Sequence, residues 1–501
     1  MTNTNYDSDF CGSVPIHVIN LIQPYGVLVV FERNTNVILQ ISENASKIFG
    51  KTFQEMIGTA LDEYLSPECL KVISERALSS YAASKIPLVW QVNEKDYLTL
   101  MHYQEKYIVA EINLDVYDEK KQQTFVSVYQ EIKIAMSLIQ SAKTIEELAG
   151  YCATELKRIS GFDKVMVYQF DPDWNGTVIA ETLEDRMESY MGVTFPASDV
   201  PQQARLLYKK NPFRLIPTRD YQPVKLYPVI NPLTHSFIDL SDCNLRAVAA
   251  VHLEYLKNMN VMASMSTRIL DGNKLWGLIA CHHRTPKHLS FEMCSVFELL
   301  SDIMSARIAT IQNSDFHTFD LKLKEQYKNL IEEAFREGDL QQSLLNSVPD
   351  ILGLFNAHGA VISHQGRIHT KGSVPHKERI KEFLLWLHSK QLKQSYHTDK
   401  LPFEYDAAND FKDVASGVLV IPIDCDKDEY VLLFRPELVR VVNWGGNPEQ
   451  RIQFDKDEKS YHPRNSFKKW QQLVEGTSSP WRMEELIAAE NLRSFIFEFS
   501  D

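Results

Sequence analysis

Between Ser290 and Glu337 the chain contains neither glycine nor proline. Apolar residues recur there at Val296, Leu300, Ile303, Ile308 and Ile311, and again at Leu323, Tyr327, Leu330 and Ile331. Steps of three and four without an internal breaker predict a helix that spans domains or forms a coiled-coil seam. Two ordinary helices parted by a polar break at Asn313-Ser-Asp315 fit the same pattern. Either way, 501 residues are too many for one core and imply about three domains.

Charge and cysteine usage narrow the class. Net charge is −13, with acids and bases interleaved and no basic stripe of the kind that tracks phosphates, so nucleic acid is not an expected partner. No apolar run approaches the roughly 20 residues of a membrane span. The N-terminus, Met1-Thr-Asn-Thr-Asn-Tyr-Asp, lacks the basic and apolar regions of a signal peptide. The 7 cysteines are odd in number and irregularly spaced, which argues against a disulfide framework or zinc cage. A soluble chain in a reducing cytoplasm is expected.

Local patterns predict an α+β chain of three domains, each an antiparallel sheet with flanking helices, joined by the long helix. In the first (1–122), Gly26–Glu32 and Val37–Ile41 read as strands around an Arg33–Asn36 turn, with another strand at Ile108–Ile112. The second (123–311) opens with an amphipathic helix from Phe125, and Thr144 with Glu147 reads as a capping box for the next helix. Strands follow at Lys164–Phe170 and Trp276–His283. In the third (312–501), Asp350–Phe355, Gly417–Ile423 and Tyr430–Phe434 read as core strands. A long polar stretch, about 440–482, holds Trp444-Gly-Gly446, Pro463-Arg-Asn-Ser-Phe467, Trp470 and Trp481; its length points to function and its aromatics argue against plain disorder. There is no Walker loop, dinucleotide-binding glycine pattern or nucleophile motif, so an enzyme is not expected within this chain.

Two segments carry the chemistry: Met191-Gly-Val-Thr-Phe-Pro-Ala-Ser-Asp-Val-Pro-Gln-Gln-Ala-Arg205 and Arg246-Ala-Val-Ala-Ala-Val-His-Leu-Glu-Tyr255. An acid, a histidine, arginines and aromatics in one sheet-and-helix domain suit a large, flat, charged, conjugated ligand. Each residue also has a plainer reading. Ser198-Asp199-Val-Pro201 is a good helix start, with Asp199 as the cap. His252 and His282 read equally as packed core histidines, Ser264, Ser266 and Thr267 as surface hydroxyls, and Tyr168, Phe195 and Tyr255 as plain aromatic core.

Both segments closely resemble the bilin-binding GAF domain of phytochromes. The first domain is similar to a PAS domain, and the Trp-Gly-Gly and Pro-Arg-x-Ser-Phe motifs resemble the tongue of a PHY domain. Cys11 resembles the attachment cysteine of bacterial phytochromes, although Tyr25 stands where those usually have histidine. Plant and cyanobacterial members attach instead through a cysteine just before the pocket histidine, and here that residue is Val251. The resemblance therefore implies biliverdin IXα held by a thioether at Cys11. It implies that the Asp199 carbonyl and His252 bond the pyrroles, with Val200 and Pro201 alongside, and that His282 reaches the ring D carbonyl. Arg214, Arg246, Tyr208, Ser264, Ser266 and Thr267 would hold the propionates, and Tyr168, Phe195 and Tyr255 would box ring D. Arg464, with Ser466 beside it, would pair with Asp199 as the switch. The implied function is red/far-red sensing in a homodimer packed along the long helices. The C-terminal helical pattern Met483–Leu492 would feed an output domain, most often a histidine kinase in a two-component system and sometimes a diguanylate cyclase. The competing reading is a GAF-type sensor of a cyclic nucleotide or other small effector.

Overall fold

The computed structural model describes residues 15–78, 85–117, 125–337, 340–348, 350–448, 453–454, 461–462 and 467–500. Contacts divide the chain into two units: Met1–Ala309 with Trp444–Trp470, and Thr310–Asn443 with Gln471–Asp501. No described helix is long and apolar enough to cross a membrane.

Six strands of the first sheet come from the start of the chain. They are β1 (Leu21–Ile22), β2 (Gly26–Glu32), β3 (Ile38–Ser42), β4 (Ile86–Val92), β5 (Lys95–Tyr103) and β6 (Tyr107–Val116). Valine, leucine and phenylalanine fill β2, whose residues 26–31 are all buried, as expected for a central strand. A seventh strand arrives from much later in sequence. Val224–Tyr227 inserts between β1 and β3, pairing antiparallel with both, so the order is β1, Val224–Tyr227, β3, β2, β6, β5, β4. Helix α1 (Pro67–Leu78) covers one face, where Ile73 joins Trp90, Met101 and Phe31 in the core.

The second sheet follows helices α2 (Phe125–Ser141) and α3 (Ile145–Ser160). Thr144 Oγ1 accepts from Glu147 N, so the predicted cap is present. The Glu147 carboxylate, however, accepts from Lys143 N rather than closing the box on Thr144. Strands β7 (Lys164–Phe170), β8 (Gly176–Leu183), β9 (Val193–Phe195), β10 (Phe213–Ile216), β11 (the Val224–Tyr227 strand of the first sheet), β12 (Ala263–Asp271) and β13 (Lys274–His283) complete this part of the chain. The order is β10-β12-β13-β7-β8-β9, and the strands that hold Trp444–Gly445 and Lys469–Trp470 continue the sheet beyond β9. Helices α4 (Gln202–Lys210) and α5 (Ala250–Asn258) lie in the connections.

Phe291–Glu337 forms one unbroken helix, α6, so the polar stretch at Asn313-Ser-Asp315 does not part it. In the second unit a five-stranded antiparallel sheet has the order β15 (Arg367–Gly372), β14 (Gly359–His364), β18 (Glu429–Arg435), β17 (Gly417–Asp424), β16 (Tyr396–Thr398). One face packs on Leu323 and Leu330 of α6 and on Ala489, Leu492 and Ile496 of the last helix. The other packs on Ile380, Phe383 and Leu387 of α7 (Lys377–Lys390); the last helix is α8 (Met483–Ser500). The expected strand at Asp350–Phe355 is instead a helical turn, Ile351–Leu354, because the Asp350 side chain accepts from Gly353 N and caps it. A buried ion pair, Arg435 to Glu485 at 2.7 Å, fixes the start of α8 against β18, and the guanidinium lies 3.8 Å from the Trp481 ring.

Candidate functional site

Strand alternation sorts the candidates on β12 and β13. Ser264 lies opposite His282 and Ser266 opposite Ala280 across the antiparallel pair. The Ser266 hydroxyl bonds the Tyr208 hydroxyl at 2.5 Å, bringing α4 onto this face. Thr267, fully buried beside Met265, turns to the opposite face with Ile279 and Cys281, so the fold does not bring it to the other hydroxyls. His283 also turns away, accepting from Asp163 N at 3.2 Å.

Two arginines converge next to this hydroxyl pair. Arg214, from β10, donates to the Asn244 carbonyl at 3.1 Å and to the Arg246 carbonyl. Arg246, 8 % exposed, donates to the Ile16 carbonyl at 3.2 Å. Among the described residues neither guanidinium lies within ion-pairing distance of a carboxylate. Burial, and then the neighbouring Arg214 charge, lower the Arg246 pKa to about 9. Its Nε is buried with no hydrogen-bond partner among the described residues. A buried and a half-buried cation, with no counter-ion among the described residues, suit an anionic ligand.

The histidines are neutral in this setting. His252, on α5, keeps an exposed edge, yet the protein packed around it and then the Arg214 charge lower its pKa. Burial, Lys164 and then His252 push His282 down to about 3. The His282 Nδ1 is buried without a hydrogen-bond partner among the described residues. His252 stacks parallel to Tyr255, with ring centroids 6.0 Å apart.

Asp199 does not cap a helix. It ends a short 3-10 turn, Ala197–Asp199, and α4 begins after Pro201, which has no side chain to cap it. The capping reading fails because the proline falls at the cap position itself. The Asp199 carboxylate instead accepts from the Tyr255 hydroxyl at 2.7 Å. Arg205 secures the turn from inside, donating to the Val200 carbonyl at 2.6 Å, with its guanidinium 4.5 Å from the Trp174 ring. Val200 packs with Tyr208 and Tyr255 against a core of Tyr168, Phe195 and Tyr190. Gly176 makes room for Tyr168: a Cβ there would sit 1.8 Å from the ring.

A cavity of about 60 Å³ lies elsewhere, beside Tyr25, Leu100, Glu111, Phe213 and Leu289. It includes neither arginine and none of the aromatic group. Converging side chains, not that cavity, define the site.

Comparisons with known proteins agree with this arrangement. Residues 323–500 match the family profile of the phytochrome region (PHY), residues 11–114 a PAS fold and residues 144–308 a GAF domain. The chain is 36% identical over 495 residues to a cyanobacterial phytochrome B of Nostoc sp., covering 98% of this chain and 66% of that one. It is 31% identical over 523 residues to a bacteriophytochrome of Xanthomonas campestris, covering 99% and 79%. A phytochrome photosensory core module of Stigmatella aurantiaca superposes with a TM-score of 0.84 at 33% identity, over 98% of each chain. This chain belongs to the phytochrome family. It has the PAS, GAF and PHY arrangement of a phytochrome photosensory core, and it spans about two thirds (66%) of the length of that cyanobacterial relative.

As a phytochrome GAF face, the site contains residues that sequence reasoning passed over. Phe467, quoted only as part of a motif, packs edge-on against Tyr255 with centroids 4.9 Å apart. Tyr190 packs edge-on against Phe195, and the buried Lys164 ammonium sits 3.5 Å from the Tyr190 ring centroid. Lys164 lies opposite His282 across β7 and β13. That register was available once the two strands were recognised, whereas the Phe467 contact depends on the fold. Cys11, Arg464 and Ser466 lie outside the described residues.

Proposed function

We propose that this chain is the photosensory core of a red/far-red photoreceptor carrying biliverdin IXα by a thioether at Cys11. The observation that carries the reading is the arginine pair, buried Arg246 and half-buried Arg214, uncompensated by carboxylates among the described residues and set beside neutral His252 and His282. When bound, the bilin supplies the visible absorption and the double bond between rings C and D that isomerises. The residues present fit it. Arg214, Arg246, Tyr208, Ser264 and Ser266 would take its propionates. His252, the Asp199 carbonyl, Val200 and Pro201 would meet the pyrroles. His282 would donate toward ring D within the group of Tyr168, Phe195 and Tyr255. Domain limits near residues 122 and 311 are part of this reading.

Signal transfer would use the segment around 440–482. Arg464, with Ser466 beside it, would pair with the Asp199 carboxylate and hold the segment in one of two states. The neighbouring helices would pass the change along a homodimer to a C-terminal output domain, most often a histidine kinase. Exposed Tyr129 and Ile134 on α2 and Leu299 on α6 suit a helical dimer surface.

Mixing the protein with biliverdin should give a long-wavelength absorbance band that red illumination shifts. An effector sensor would give no visible band, and that result would sink the reading. Cys11→Ser should retain pigment but lose zinc-induced fluorescence on a denaturing gel. Arg464→Ala should leave attachment intact and destabilise the photoproduct. Unchanged dark reversion and amide infrared difference spectra in that variant would reduce the segment to a lid.

A further inference from the structure

A second cluster of chemically able side chains lies away from the arginine face, against the first sheet. His102 on β5 and Glu111 on β6 are 5% and 4% exposed. Cys243, fully buried, belongs to the loop that leads into Arg246. A nitrogen, a carboxylate oxygen and a sulfur from these three residues all lie within 4.8 Å of one another.

Their internal bonding leaves the cluster incomplete. His102 Nε2 and Cys243 Sγ are 3.8 Å apart, a weak contact. Glu111 Oε2 accepts from Leu245 N at 2.7 Å, but Glu111 Oε1 is buried with no hydrogen-bond partner among the described residues. Lys85 does not supply one. Its ammonium is committed to the Asn211 and Asn244 side-chain oxygens, at 3.1 and 2.6 Å, and is not within ion-pairing distance of Glu111. A buried carboxylate oxygen left unbonded is costly and points to a missing partner.

We propose that His102, Glu111 and Cys243 form a binding site for a divalent transition-metal ion, best matched by Zn²⁺. One imidazole nitrogen, one thiolate and one carboxylate oxygen form the mixed N, S, O donor set that zinc accepts in tetrahedral geometry, with a fourth position for water. The imidazole is ready to ligate, since burial and then Lys85 hold His102 near a pKa of about 3. The thiol is not. Burial raises Cys243 well above its ordinary pKa and raises Glu111 too, so binding must release to solvent the thiol proton and any proton the carboxyl holds. The nearby charge of Lys85 opposes a further cation, and the two negative ligands offset it. The site would staple the first sheet to the loop carrying Asn244 and Arg246. That loop also receives the Arg214 guanidinium through the Asn244 carbonyl. The ion would therefore be structural, setting where the arginines stand.

The test uses pigmented, tag-free protein equilibrated with Zn²⁺ and dialysed. Mass spectrometry should find one zinc per chain. X-ray absorption at the zinc edge should show one sulfur at about 2.3 Å together with nitrogen or oxygen neighbours. Cys243→Ser and His102→Gln should each lower retained zinc at least tenfold. Zinc retained on pyrrole nitrogens, with no sulfur neighbour, would overturn the assignment. So would failure of the unsubstituted protein to keep zinc, a result that stands even if a variant fails to fold.

Discussion

Two buried histidines share one electrostatic condition. His102 and His282 are each held well below the ordinary imidazole pKa, to about 3, with burial as the largest cause. Folding therefore excludes protons that the unfolded chain takes up below about pH 6.5. Stability is fully present above that pH and falls as pH drops toward 4, by at most about 1.4 kcal/mol per pH unit for each histidine. Glu111, raised by burial, acts in the opposite sense, so the informative quantity is a difference between proteins. His282→Gln should flatten the pH dependence of the urea midpoint between pH 6.5 and 4 relative to the unsubstituted protein. Identical slopes would show that His282 titrates normally. Much at this scale was legible from sequence. Alternation along the two strands is enough to separate His282 from His283 and to remove Thr267 from the hydroxyl group. Asp199 was misread because a proline two residues on suits either the first turn or, as here, the cap position.

Strand and helix identity followed local chemistry closely where one face or both are buried. Gly26–Glu32, Lys164–Phe170 and the C-terminal part of β13 are strands as their short apolar runs suggest, and α6 continues because nothing in it breaks a helix. Asp350–Phe355 failed as a strand because a capping aspartate outweighed a short apolar run too brief to show a period. The insertion of Val224–Tyr227 into the first sheet was invisible, since four residues carry no signature of their partner. The strand that ends at Gly445 is the one whose placement matters most, and Gly445 shows how close it comes. A Cβ at Gly445 would lie 2.6 Å from Cε1 of Phe195. Gly445→Ala should therefore displace Phe195 or the segment, shifting the absorbance band or accelerating loss of the photoproduct in the pigmented protein. A spectrum and dark-reversion rate equal to those of the unsubstituted protein would show that Phe195 yields at no cost.

At the scale of the whole molecule, each unit has its own means of cohesion. In the second unit Arg435 bonds Glu485 while also donating to the Phe355 and Pro480 carbonyls, at 2.9 and 2.6 Å. Side-chain exposures of 3% and 2% make this a pair whose loss leaves a charge stranded. Glu485→Gln should cost about 3–5 kcal/mol, seen as an early unfolding transition in urea. Replacing both residues with apolar side chains of similar volume should recover much of that loss. If the single variant unfolds with the unsubstituted protein, the pair contributes little. In the first unit cohesion is topological, and that has a bearing on how the protein is made. Until Val224–Tyr227 arrives, β3 has no neighbour on one side and β1 has nothing to lie against. A ribosome must therefore deliver most of the GAF region before the N-terminal sheet can close. During that interval the nascent chain carries a bare, apolar strand edge open to pairing with other chains. Chaperone occupancy over that window, more than final stability, should decide how much of the protein survives its own synthesis.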